Sequence, residues 1–168
     1  VTDSANAQQG TGVYDTEALR DLTDTRTGKR ADPAPEVPEP SEGLTLERDA
    51  QGRVIAATDA QGQRTTYTYD DFDRLVRVSS PETGTTHYRY DPAGNLTGKV
   101  TATGAETTYS YDAANRLTRV AHPDGTTTHY HWNDGGRLAR VEGPTSTQRY
   151  TYDDQGRLTE HTRVIDEH

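Results

Sequence analysis

Aspartate recurs at an interval of 21 residues, at Asp49, Asp70, Asp91 and Asp112. Asn133 keeps the interval and Asp153 follows it by 20. The same phrase surrounds each position: Tyr67-Thr68-Tyr69-Asp70, Tyr88-Arg89-Tyr90-Asp91, Tyr109-Ser110-Tyr111-Asp112, Tyr130-His131-Trp132-Asn133 and Tyr150-Thr151-Tyr152-Asp153. A period of this size means one supersecondary unit stacked several times, each burying its apolar side on the next. A chain of this kind serves as a scaffold or a binding surface.

One unit reads as a β-hairpin. In Arg64 to Gly84, Thr65-Thr66-Tyr67-Thr68-Tyr69 alternates small polar residues with aromatics. All are strand formers, and Tyr67 and Tyr69 project from one face. Asp70-Asp71-Phe72-Asp73 turns the chain, Arg74-Leu75-Val76-Arg77-Val78 is the second strand, and Ser80 to Gly84 turns back. Three residues after the repeated Asp stand Gly52, Asp73, Gly94, Asn115, Gly136 and Gly156. These residue types tolerate a left-handed backbone, so the position needs a positive φ. The Asp before it can accept hydrogen bonds from turn N–H groups, a structural role. The turn set is therefore Asp70, Asp91, Gly94, Asp112, Asn115, Gly136, Asp153 and Gly156. Gly62, Gly84, Gly104 and Gly125 mark the return turns. One spacing has two solutions: Leu75 and Val78, Leu117 and Val120, and Leu138 and Val141 are three apart and on a regular strand would face opposite ways. Either a bulge intervenes or both faces are partly covered.

Only 29% of the chain is hydrophobic. That is thin for a closed core, because burial must offset roughly 1–2 kcal/mol of backbone ordering per residue. Nine of the ten tyrosines and the only Trp follow residue 66. Aromatics bury about 150–250 Å² each, so rings stacked between neighbouring repeats can supply the missing interior. The expected repeat core is Tyr67, Tyr69, Tyr88, Tyr90, Tyr109, Tyr111, Tyr130, Trp132, Tyr150 and Tyr152.

The expected fold is all-β: tandem hairpins in a twisted, curling antiparallel sheet over residues 44–168. About six repeats are present, the first degenerate, with Leu46 and Arg48 at the aromatic positions, and the last incomplete. Residues 1–43 carry nine acidic and four basic residues and four of the eight prolines, and read as a flexible acidic arm. Asp15 to Leu22 within it is a candidate short helix capped by Asp15.

The phrase Tyr-x-Tyr-Asp-x-x-Gly-Arg-Leu resembles the signature of the RHS/YD-repeat family. Tyr88 to Leu96, Tyr109 to Leu117 and Tyr150 to Leu158 match it best. The resemblance spans about residues 44–160. That family includes bacterial RHS proteins of polymorphic toxin systems, shell subunits of Tc toxins, and teneurins. The resemblance implies a sheet that spirals into a hollow shell, and in bacterial members a shell around a toxic domain. It also implies a secreted or cell-envelope bacterial protein. Asp91-Pro92-Ala93-Gly94 has the letters of the family's autoproteolytic boundary, but it sits at an ordinary mid-array turn.

Other functions find less support. The net charge of -9 disfavours nucleic acid, and no apolar run spans a membrane. No cysteine is present, which removes thiol catalysis and thiolate metal sites. His122, Asp124, His129, His131 and Asp134 form the best metal-like cluster, but His129 and His131 read as a solvated strand face. No nucleophile elbow or phosphate loop occurs. The expectation is a non-enzymatic module with no catalytic residue, metal or cofactor. Its expected partners are further repeats, or a second copy joined through open sheet edges, and a toxin cargo. The rival is a carbohydrate- or cell-surface-binding module using its tyrosine rows.

Overall fold

The computed structural model describes residues 23–24, 29–30 and 35–166. It divides into two units, Val1–Asp32 and Pro33–His168. In the first, β1 (Thr23–Asp24) and β2 (Lys29–Arg30) form a two-stranded antiparallel ladder. Sequence reading did not anticipate this ladder. The helix expected at 15–22 lies outside the described residues.

The second unit is a single 12-stranded antiparallel sheet. Its strands are β3 (Thr45–Arg48), β4 (Val54–Thr58), β5 (Arg64–Tyr69), β6 (Leu75–Ser80), β7 (Gly84–Tyr90) and β8 (Leu96–Val100). Then come β9 (Glu106–Tyr111), β10 (Leu117–Ala121), β11 (Thr127–Trp132), β12 (Leu138–Glu142), β13 (Ser146–Tyr152) and β14 (Leu158–Ile165). Strand order in the sheet follows chain order from β14 to β3 without a crossover. The array is thus six hairpins in a meander, all-β as the repeat predicts. No helix occurs among the described residues.

Register resolves the three-residue spacing. Within each hairpin the second strand carries one extra residue. Tyr69 pairs with Leu75 and Thr68 with Arg77, so Val76 is unopposed. Ile55, Thr97, Thr118, Ala139 and Thr159 hold the same place in the other five. The bulge turns Leu75 and Val78 to the same face, opposite Tyr69 and Tyr67. Pairings between one hairpin and the next show no such shift.

One face of the sheet therefore gathers every repeated aromatic together with Leu75, Val78, Leu96, Leu117, Val120, Leu138 and Val141. The opposite face carries mainly Thr, Ser, Arg, His and Glu. The buried centre is mostly aliphatic: Val54, Ala56, Ala57, Leu75, Leu96, Leu117, Val120, Leu138 and Val141, joined by Tyr150. The other repeated rings are half-buried. They share a face with the aliphatic rows and pair with them across the strands. A half-buried ring still hides about 100 Å² of apolar surface, worth roughly 2.5 kcal/mol.

Candidate functional site: the stapled turns

Six turns line one end of the sheet, and each is built the same way. The N–H of Asp73 donates to the Asp70 carbonyl at 3.1 Å, and the N–H of Asp70 donates to the Arg74 carbonyl at 2.9 Å. Asp70 Oδ1 accepts the N–H of Phe72 at 2.9 Å and of Arg74 at 3.0 Å. Asp49, Asp112 and Asp153 repeat this pair of bonds. Asp91 and Asn133 accept the bond from the fourth residue on, at 2.8 and 2.9 Å. The position three after each has φ between 59 and 85 in all six turns, including the non-glycines Asp73 and Asn115.

A β-branched residue resists that conformation. At Gly94, φ is 85 and nothing lies within 4 Å of a built Cβ. Gly94→Val should therefore cost about 1–3 kcal/mol through backbone strain alone. An unchanged thermal midpoint would contradict it.

The fourth residue after the Asp was not singled out from sequence, although it recurs. It is Arg53, Arg74, Arg116, Arg137 and Arg157, with Asn95 as the exception. Arg53, Arg74, Arg116 and Arg157 each place Nε 2.7 Å from the Oδ2 of their own turn's Asp. Three of these guanidiniums, with that of Arg137, also reach the next repeat. Arg53 and Arg74 lie 4.9 Å from the ring centres of Tyr69 and Tyr90, Arg116 lies 5.7 Å from Trp132, and Arg137 lies 5.9 Å from Tyr152. Such contacts are worth about 0.5–1 kcal/mol each at exposed sites. Arg53 also pairs with Asp73 of the next turn, and Arg74 Nη1 donates to the Asp91 carbonyl at 3.2 Å. The recurrence of Arg four residues after Asp is the signal for this role.

The second aromatic of each phrase adds a staple. Tyr69 Oη donates to the Val54 carbonyl, Tyr90 to Leu75, Tyr111 to Leu96 and Tyr152 to Leu138, at 2.7–2.8 Å. Trp132 Nε1 donates to the Leu117 carbonyl at 2.7 Å. Each acceptor is the first residue of the second strand in the preceding hairpin. Each repeat is thereby locked to its predecessor by a phenol or indole donor, and in four of five junctions by a guanidinium on the same ring.

Asn95 breaks the series. Its Nδ2 donates at 2.9 Å to Asp91 Oδ2 and at 2.9 Å to Asn115 Oδ1 of the next turn. It is only 1% exposed, and its Oδ1 has no hydrogen-bond partner. It keeps the turn-to-turn link with a neutral amide.

The turn aspartates tie stability to pH. The Arg74 hydrogen bond, first among several, holds Asp70 below its ordinary 3.8. Burial pushes Asp49 and Asp112 the other way, but hydrogen bonds from Arg53 and Arg116 outweigh it. The backbone and then the guanidinium of Arg157 lower Asp153. A carboxylate whose pKa falls on folding stabilises the fold above its unfolded value, and that contribution is lost as pH falls through the folded value. Thermal midpoints should thus drop progressively below pH 3.8. A midpoint unchanged down to about pH 2 would refute the linkage.

The histidine cluster does not assemble. Among the described residues no group of three or more His, Asp or Glu is placed to hold a metal ion. His122 bonds Thr128, and His129 bonds Thr127. His131 contacts Glu142 at 2.9 Å. Among the described residues no helix is long and apolar enough to cross a membrane.

The same sheet occurs in solved structures. The crystal structure of TcdB2-TccC3 superposes with a TM-score of 0.59 at 19% identity, over 74% of this chain and 8% of that one. TcdB2-TccC3-Cdc42 gives 0.55 at 20% identity, over 68% of this chain and 7% of the other. The Tc holotoxin pore of Photorhabdus luminescens gives 0.53 at 16% identity, over 73% and 9%. The chain therefore spans less than a tenth of the length of these structures, and the likeness is one of fold. No curated protein sequence matches it. The RHS repeat family, in contrast, matches residues 48–86, 70–106, 90–127 and 132–164, which is most of the array. The tyrosine-aspartate hairpins, their bulges and their staples are thus those of a chain that belongs to the RHS repeat family.

Proposed function

We propose that this chain is a non-enzymatic wall segment of an RHS-type shell, one that encloses or presents a toxin cargo of an exported bacterial system. The observation that carries the reading is the repeated staple. Each hairpin offers a carbonyl, and in most repeats a guanidinium, that the next hairpin's aromatic covers. The geometry serves to extend a continuous sheet. At the β14 edge, Arg157 holds the covering position with its side chain 74% exposed, against 27% for Arg74 inside the array. In this reading a further Tyr-x-Tyr-Asp strand pairs along β14, the last strand of the described sheet. In this reading the protein acts at the cell envelope or beyond it, and its partners are other repeats and the cargo.

The polypeptides encoded beside this one provide the test. Co-expression should yield a complex in which a toxic neighbour resists protease and loses its toxicity. A neighbour digested equally fast with and without this chain would overturn the reading.

A carbohydrate-binding role is the second reading, favoured by the half-exposed rings of Tyr67, Tyr88, Tyr109 and Tyr130. They form rows on one face, and a ring face can stack on a sugar. Specific hits on a glycan array that vanish in Tyr88→Ala, with the fold intact, would support it. An array without hits would dismiss it.

A further inference from the structure

One patch of the polar face carries a charge opposite to that of the whole protein. Arg119, His129 and Glu142 are neighbours across β10, β11 and β12. His131, Arg140 and Arg149 form the adjoining row across β11, β12 and β13. Strands lie about 4.8 Å apart, so the two rows fill a patch roughly 15 Å by 7 Å. Glu142 is the one acid among these six. It is already engaged, at 2.9 Å from His131 and 3.2 Å from Arg140. Its hydrogen bond from His131, with the positive charge of Arg140, holds its carboxyl below the ordinary range. Three arginines against one glutamate leave the patch net positive before the histidines are counted, on a chain whose net charge is -9.

The two outer arginines are unspent. Arg119 and Arg149 are exposed, and among the described residues neither guanidinium has a hydrogen-bond or ion-pair partner. The turn arginines differ: Arg53, Arg74, Arg116 and Arg157 each bind an aspartate. Guanidinium forks bind carboxylates and phosphates in bidentate fashion, so charge spacing decides between them.

We infer that this patch on β10–β13 docks an extended acidic segment of a partner polypeptide. Its carboxylates would sit on Arg119 and Arg149, with Arg140 between them. The two outer guanidiniums stand roughly 15 Å apart by strand spacing and rise, which is about the reach of residues four or five apart on an extended chain. Two glutamates spaced that way satisfy both and leave the stretch over Glu142 without a charge against it. A nucleic acid or sulfated glycan carries charge more densely. It would press anionic groups onto Glu142 and meet the repulsion of the whole acidic surface. This inference does not depend on the shell reading.

The test is fluorescence anisotropy of the chain with a labelled peptide bearing glutamate at every fourth position. Single-stranded DNA and a heparin fragment of similar net charge are the comparisons. The peptide should bind most tightly, and binding should weaken as salt is raised. The double variant Arg119→Gln/Arg149→Gln should lose about tenfold or more in affinity, a change of roughly 1.4 kcal/mol. Both side chains are exposed, so the variant should keep its circular dichroism and thermal midpoint. Arg77→Gln, on the same face but outside the patch, should leave affinity within about twofold. No binding, equal binding by the double variant, or tighter binding of DNA or heparin would each overturn the proposal.

Discussion

Asn95→Asp should destabilise the array by about 3–5 kcal/mol at neutral pH. The site is 1% exposed, and both groups that Asn95 now serves are acceptors: Asp91 Oδ2 and Asn115 Oδ1, each at 2.9 Å. A carboxylate there loses two donor bonds and sets a second negative charge against Asp91. Burial and that neighbour would raise the new carboxyl's pKa. Its penalty is therefore present above the folded pKa and shrinks as pH falls and the group takes up a proton. Asn95→Ala is the control. It loses the same bonds but also removes the unsatisfied Oδ1, so it should cost less, about 1–3 kcal/mol. Urea unfolding at two pH values measures both. A loss under about 1 kcal/mol for Asn95→Asp would show that the turn can open to water there.

The second large effect is expected at Leu138. Its side chain is 2% exposed, opposite Trp132 in its own hairpin, and its carbonyl holds the Tyr152 staple. Leu138→Ala should cost about 2–5 kcal/mol, the range for a cavity in a packed site. Leu158 occupies the same position in the last hairpin, opposite Tyr152, but is only half-buried. Leu158→Ala should cost about half as much or less, roughly 1–2 kcal/mol, because less of that side chain is buried on the edge strand of the described sheet. Equal losses at the two positions would mean that burial comes from within each hairpin and not from stacking between hairpins.

Much of this architecture is legible in the sequence, for identifiable reasons. Period and alternation specify hairpins because strand side chains alternate strictly. Gly, Asn and Asp sharing one position specify a positive φ because few other residues accept it, and Asp73 and Asn115 do adopt φ of 60 and 59. The bulge is less accessible. A three-residue spacing of Leu75 and Val78 suits either a bulge or two covered faces, and only the pairing register separates them. Ring exposure is also hidden, since it depends on what lies above the sheet. Tyr150 is buried at 4% and stacks on His161 at 4.7 Å, while its equivalents in other repeats are half-buried. The arginine network was missed because a charged residue after a turn usually means a solvated tip. Here its partner lies in the following repeat, 16 residues on for Tyr69 and Tyr90. The β1–β2 ladder has no periodic signal to announce it.

Strand order that mirrors chain order has a mechanical corollary. No strand is trapped between two that are distant in sequence. Tension on one terminus would therefore peel the sheet like a zip, a hairpin at a time, breaking one junction's staple at each step. Every 21-residue step would pay out about 70 Å of slack, giving a sawtooth of evenly spaced events under an optical trap.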